Sequence, residues 1–304
     1  MAVATRPDLM PLVARRMCLK AIGSVMHTET IDIGGQALRV GTTSAPTGRR
    51  PLLLFNGIGA SLEAVVPFAN EMRASGIPCI VFDVPGVGGS APSRLPYRFS
   101  GLARIAASVL DHLEIADPVD VLGVSWGGAL AQQFARQYPE RCNRLILAAT
   151  SPGAIMVPGR FDALVKMVSP RRYTDPEFMA RSAGQLYGGA FRNDPELSES
   201  LMRPMAPPSS AGYMMQIAAM LGWTSIHWLH RLPQPTLVLM GKDDPIVPEI
   251  NGRILAQLIP TARLVTIDDG HLFLLTSIDE VVPIIDAFLR DAPSGPDGDA
   301  SKPS

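Results

Sequence analysis

Apolar and polar positions alternate along this chain in two rhythms. Short, mostly apolar runs at 52–55, 79–82, 119–124, 145–148, 236–240 and 262–267 read as strands buried on both faces. Stretches with helical spacing at 62–75, 101–113, 129–138, 249–258 and 279–290 stand between and after them. Strand followed by helix, repeated, predicts an α/β domain with a mostly parallel central sheet flanked by helices. At its start, 28–33 and 37–43 straddle Gly34-Gly35 and predict an antiparallel hairpin.

The rhythm breaks between about Pro152 and Pro233, where helix-like pieces are punctuated by prolines and none reads as a strand. The expectation is an inserted helical lid over 154–232, dividing an α/β core into 28–153 and 233–290. Eight of the 14 methionines fall inside it: Met156, Met167, Met179, Met202, Met205, Met214, Met215 and Met220. Unbranched thioethers give an adaptable apolar lining, although they also fill ordinary cores. Trp223 and Trp228 in the same stretch are read either as contacts for a bulky apolar substrate or as packing against the core.

The flanks read differently. Residues 1–27 form an N-terminal arm in which Arg15-Arg16 precedes an apolar stretch ending at Met26. That stretch is too short for an export signal or a membrane span. The Pro, Gly, Ser and Asp of 291–304 predict a disordered tail.

Hydrophobic residues make up 47% of the chain and charged ones 18%, enough apolar material for a full core. The net charge of −1 is spread without a basic face, which argues against a nucleic-acid partner. Cys18, Cys79 and Cys142 lack metal-ligand spacing and fit a reduced, cytoplasmic setting. The glycine-rich run 82–90 lacks the order of a dinucleotide site, and no phosphate-binding lysine motif occurs, so no cofactor and no metal is expected.

Gly123-Val124-Ser125-Trp126-Gly127 ends one predicted strand and leads into the next predicted helix. A serine held on so sharp a turn needs near side-chain-free neighbours two residues either side, and Gly123 and Gly127 meet that need. A hydroxyl nucleophile also needs an oriented base. Among His27, His112, His227, His230 and His271, only His271 follows a predicted strand and so reaches the sheet edge where Ser125 emerges. After the strand at 236–240, Asp243 and Asp244 offer two adjacent carboxylates that the residues alone do not separate. Asp268 and Asp269 are read as solvated strand-end residues. Oxyanion donors are expected at the backbone N–H of Trp126 and, in the turn Asn56-Gly57-Ile58-Gly59, at that of Ile58.

With these residues in view, the chain resembles the intracellular medium-chain-length polyhydroxyalkanoate depolymerases of the α/β-hydrolase superfamily. The similar segments are FNGIGA at 55–60, FDVPGVGGS at 82–90, PYRF at 96–99 and GVSWGGALAQQFA at 123–135. SPRRY at 169–173, GWTSIHWLH at 222–230 and DDGHLFL at 268–274 extend the likeness through the expected lid. The resemblance implies an α/β-hydrolase fold with nucleophile, acid and base at Ser125, Asp244 and His271. Asp244 is selected because the family's acid stands three residues after the glycine and four before the proline, here Gly241 and Pro248. The turn at 56–59 resembles the HG-x-G turn of lipases and esterases with Asn56 in place of histidine. The resemblance further implies hydrolysis of stored polyester to 3-hydroxyalkanoic acids or oligomers at the surface of cytoplasmic granules. The chain departs from the family in its arm, its tail and Lys242, where an acidic residue is familiar. The competing expectations are a small-molecule carboxylesterase, a carbon–carbon or lactone hydrolase with the same triad, and a non-catalytic granule-binding protein.

Overall fold

Strands β1 (His27–Ile33) and β2 (Gln36–Thr42) form the predicted hairpin, with Ile31 opposite Leu38. The turn between them holds Gly34 and Gly35 at φ 62° and 85°, left-handed values that a two-residue hairpin turn demands. The structure, a computed structural model, describes residues 26–45, 48–169, 171, 175–194, 197 and 209–291. The expectations for most of the arm and for the tail therefore lie outside the described residues, as do Met202 and Met205.

The remaining strands are β3 (Leu52–Phe55), β4 (Cys79–Phe82), β5 (Val119–Val124), β6 (Cys142–Ala148), β7 (Thr236–Gly241) and β8 (Ala262–Ile267). All eight make one sheet in the order β1-β2-β4-β3-β5-β6-β7-β8. β1, β2 and β4 pair antiparallel, and every neighbour from β4 onward is parallel. Alternate residues of β3 enter two separate cores. Leu53 and Phe55 pack with Phe99, Leu102, Leu130 and Phe134, whereas Leu52 and Leu54 pack with Phe68, Met72, Val281 and Ile285. Helices thus cover both faces, which is why the parallel strands read as unbroken apolar runs. Truncating Phe134, fully buried beside Phe55 and Tyr138, costs about 3–5 kcal/mol by the usual behaviour of core aromatics.

Two helices differ from their sequence patterns. The 62–75 stretch is a 3-10 turn, Leu62–Val65, followed by helix Val66–Ala74. Pro67 at the helix start has no N–H to lose, so the α-helix begins there. The helix expected at 129 begins at Trp126 and runs to Gln137. Gly127 and Gly128 are poor helix formers and hide its first turn from the pattern.

Between β6 and β7 lie helices Phe161–Val168, Pro176–Tyr187, Ala190–Asn193 and Ser210–Met220. The stretch is pinned at its neck by a bridge between Gly153 and Thr224. Trp223 donates its indole N–H to Gln133 Oε1 at 3.1 Å and stacks on Phe99 at 4.9 Å. Trp228 packs edge-on against Trp223 and is buried. Both tryptophans therefore pack against the core. No helix among the described residues is long and apolar enough to cross a membrane.

Candidate active site

Ser125 follows the last residue of β5 and adopts φ 53°, ψ −117°, a conformation that costs a non-glycine residue roughly 1–3 kcal/mol. The surrounding backbone holds it there. Its N–H donates to Ala148 O at 2.9 Å, and its carbonyl accepts from Gly128 N–H at 2.9 Å and Thr150 Oγ1 at 2.7 Å. A Cβ at Gly123 would stand 2.2 Å from Gly127 O, and one at Gly127 would stand 2.1 Å from Phe55 O. Both glycines are thus required by close backbone approach, as the pentapeptide predicts.

His271 follows β8, and its Nδ1 lies 2.6 Å from Asp244 Oδ2, beyond the end of β7. An ionised carboxylate only accepts, so Nδ1 carries the proton and Nε2 is left as an acceptor. Asp244 is itself fixed: its Oδ1 accepts from Ile246 N–H at 2.8 Å and Val247 N–H at 2.9 Å. Both side chains are almost fully buried. Ser125 and His271 line one cavity of about 90 Å³, closed by Val65, Phe68, Leu274 and Leu275.

Asp243 turns away from this pair. Its carboxylate accepts from Arg192 Nε at 2.9 Å and Gly189 N–H at 2.8 Å. Partial burial alone would raise its pKa, but these donors outweigh it and hold the carboxyl below its ordinary value. Asp268 is exposed beside Lys242, as expected of a strand end. Asp269 corrects the sequence reading: it is buried, accepting from Ala190 N–H at 2.8 Å and Ser277 Oγ at 2.6 Å, and also from Gly270 N–H and Thr276 Oγ1. The reason is the inserted stretch, which seats Gly189 and Ala190 against the turn that carries His271. A Cβ on Gly189 would meet Asp269 Oδ1 at 2.0 Å. His271 N–H completes this seam by donating to Tyr187 O at 2.7 Å.

In the turn after β3, Ala60 N–H donates to Gly57 O at 3.2 Å, and Gly59 has φ 73°. Ile58 and Trp126 lie with Ser125 on a second cavity of about 380 Å³. Its walls include Met156, Leu164, Met167, Ile217, Met220 and Val247. Three of the eight methionines singled out in the sequence therefore line it. Met179 is buried apart from it, Met214 is exposed and Met215 is half-buried. His227 and His230 are exposed and line neither cavity; His227 sits edge-on to Trp228 and His230 contacts Arg231.

In the turn at 82–90 the backbone is tied down by a buried carboxylate. Asp83 is buried and accepts from Leu62 N–H at 2.7 Å and Gly89 N–H at 2.9 Å. Burial pushes its pKa up to about 6 despite those donors. Gln216 had no sequence signal at all, yet its side chain reaches the turn at Gly59 and its carbonyl reaches the Trp126 indole. Among the described residues, no cluster of His, Cys, Asp or Glu is placed to hold a metal ion.

A family model for the alpha/beta hydrolase fold matches residues 50–277. The chain is 53% identical over 261 residues to a poly(3-hydroxyalkanoate) depolymerase of Ectopseudomonas oleovorans, covering 86% of this chain and 92% of that protein. It is 28% identical to 3-oxoadipate enol-lactonase 2 of Acinetobacter baylyi, covering 73% and 82% of the two chains. The crystal structure of the enol-lactonase from Burkholderia xenovorans LB400 superposes with a TM-score of 0.74, over 86% of this chain and all of that one. At 20% identity that last likeness concerns the fold alone.

Proposed function

The chain belongs to the α/β-hydrolase fold family, and from that premise we propose that it depolymerises poly(3-hydroxyalkanoate) by serine-dependent ester hydrolysis. In this reading His271 Nε2 takes the proton from Ser125 Oγ as the oxygen attacks the ester carbonyl. The backbone N–H groups of Ile58 and Trp126 donate to the oxyanion as it forms. Collapse of the tetrahedral intermediate breaks the C–O bond. The leaving alkoxide takes the proton from His271, and Ser125 keeps the acyl group. A water then repeats the sequence, yielding a free 3-hydroxyacyl carboxylate and restoring Ser125. Asp244 keeps His271 in the Nδ1–H tautomer and balances the imidazolium charge.

One observation carries this reading: a histidine oriented by a buried aspartate lines the same cavity as a strained serine on a strand-to-helix turn. The substrate assignment draws on the 53% identical relative and on the 380 Å³ apolar chamber beside Ser125, whose size and methionines suit alkyl side chains of medium length. Action at the surface of cytoplasmic polyester granules belongs to the same proposal.

The test is product analysis on emulsified medium-chain and short-chain polyesters, run beside a soluble p-nitrophenyl ester and an enol-lactone. Release of 3-hydroxyacids or their oligomers, with an organophosphonate adduct on Ser125, is expected. Turnover of the small esters or the lactone with inert polymer would overturn the substrate; an unlabelled Ser125 would overturn the mechanism.

A further inference from the structure

Gln216 stands on helix Ser210–Met220 of the inserted stretch, far in sequence from the residues proposed to react, and it is 1% exposed. Its two oxygens reach two separate turns, one through a backbone N–H and the other through an indole N–H. The side-chain Oε1 accepts from Gly59 N–H at 2.8 Å, and the main-chain oxygen accepts from the Trp126 indole N–H at 2.9 Å. Gly59 follows Ile58 in one turn, and Trp126 follows Ser125 in the other. One residue thus ties together the two turns whose N–H groups face a developing oxyanion.

The position of Gln216 is itself fixed. Gly86 and Gly212 approach so closely that a Cβ on Gly212 would lie 2.1 Å from Gly86 O. Ser209 Oγ, which caps the helix by accepting from Gly212 N–H at 3.0 Å, donates to Gly86 O at 2.9 Å. Beyond the other helix end, Trp223 and Trp126 both stack on Phe99, at 4.9 Å each. The helix is therefore locked to the core at both ends. Gly59, at φ 73°, sits in a turn that lacks regular sheet or helix partners. A buried acceptor anchoring its N–H sets the plane of the Ile58–Gly59 peptide and, through it, the aim of the turn.

We infer that Gln216 is a positioning residue for the oxyanion site, so that the inserted helix completes the transition-state geometry as well as covering the substrate. This rests on the ester-hydrolase reading above. Ground-state binding in the apolar chambers does not use the oxyanion donors at full strength, whereas the tetrahedral state does. Misaiming them should therefore lower kcat and leave KM nearly alone.

The experiment compares parent, Gln216→Leu and Gln216→Met on a soluble p-nitrophenyl ester. Rates are normalised to sites titrated with an organophosphonate, so that misfolded protein does not count. Removing a whole oxyanion donor typically costs 10²–10³-fold; a misaimed one should cost less, about 10- to 50-fold in kcat, with KM within about 3-fold. The affinity of a trifluoromethyl ketone, which forms a tetrahedral adduct with the serine, should fall by the same factor as kcat/KM. Unchanged kcat per titrated site, or a loss confined to KM, would overturn the role of Gln216. If the parent itself takes no organophosphonate on Ser125, the ester-hydrolase reading fails instead, so the two failures are distinguishable.

Discussion

The turns at the sheet edge and the inserted helices differ in kind. The turns after β5, β7 and β8 carry Ser125, Asp244 and His271: Ala148 at the end of β6 holds Ser125, the N–H groups of Ile246 and Val247 hold Asp244, and Asp244 orients the His271 ring. The insertion contributes apolar walls and a set of fastenings: Tyr187 to the His271 backbone, Gly189 and Arg192 to Asp243, Ala190 to Asp269, and Gln216 to Gly59 and Trp126. It is stitched to the core beside both halves of the site. One part behaves otherwise. Helix Phe161–Val168 turns Leu164, Met167 and Val168 toward the larger cavity, yet Phe161 and Val165, at i and i+4, are 82% and 55% exposed. A helix apolar on both faces is unusual in water. Under the proposed function labour is divided: the edge turns hold the reacting groups, the fastened insertion aims them, and its outer face is the surface offered to polymer.

The largest expected effect tests the first part of that division. Ser125→Ala should cut turnover by at least about 10⁴-fold without loss of fold. Near-normal hydrolysis by the folded variant would remove the nucleophile from the edge turns.

Next come the adjacent carboxylates, which set the two regions directly against each other. Asp244→Asn should cost roughly 10³–10⁴-fold in kcat, because an amide bonded to His271 favours the wrong tautomer. Asp243→Asn only weakens a fastening to Arg192 and Gly189 and should cost less than about 10-fold. Steady-state kinetics on a soluble ester separates them, and equal losses would erase the distinction between reacting group and fastening.

Smaller still is the effect expected at the outer face. Phe161→Ser and Val165→Ser should lower the rate on emulsified polyester about 3- to 10-fold while changing the rate on a p-nitrophenyl ester less than about 2-fold. The measured quantity is the ratio of the two rates. A ratio that does not move would make this face merely structural.

The last effect concerns stability and should belong to the core alone. Asp120 on β5 is buried against Asn143 Nδ2, at 2.6 Å. Burial pushes its pKa up to about 6, only partly offset by Asn143 and nearby arginines. An acid whose folded pKa is raised binds its proton more tightly in the native state. It therefore contributes stability below about pH 4 that is lost as pH rises through about 6. Asp120→Asn stays neutral and still accepts from Asn143, so it should shrink the Tm difference between pH 5 and pH 7 by roughly 2–4 °C. An unaltered pH dependence of Tm would show that Asp120 does not carry it.

How much of this was legible in the chain follows from the range of the interactions. The core architecture was readable because parallel strands and covering helices imprint local periods of two kinds on the residues. The serine turn was readable too: its requirement for Gly123 and Gly127 is met within five residues, although the same glycines concealed where the following helix starts. Two neighbouring carboxylates after β7 were equally readable as a pair. Which of them meets His271 depends on the rotation of the chain past Gly241, and the residues alone left it open until the family pattern selected Asp244. Asp269 was misread because its partners arrive from Ala190 and Ser277, and from no strand-end pattern. Gln216 lies 157 residues from Gly59 and 90 from Trp126, and each contact uses a main-chain group. Every residue except proline has the same backbone N–H and every residue the same carbonyl, so such bonds leave no mark on composition or period. The sequence by itself determined the sheet, the elbow and the chemical types of the reacting groups, because those are local requirements. Only tertiary structure showed which carboxylate lies against His271 without appeal to a family pattern, how the insertion is fastened and which groups Gln216 reaches, because those depend on distant backbone brought together by packing.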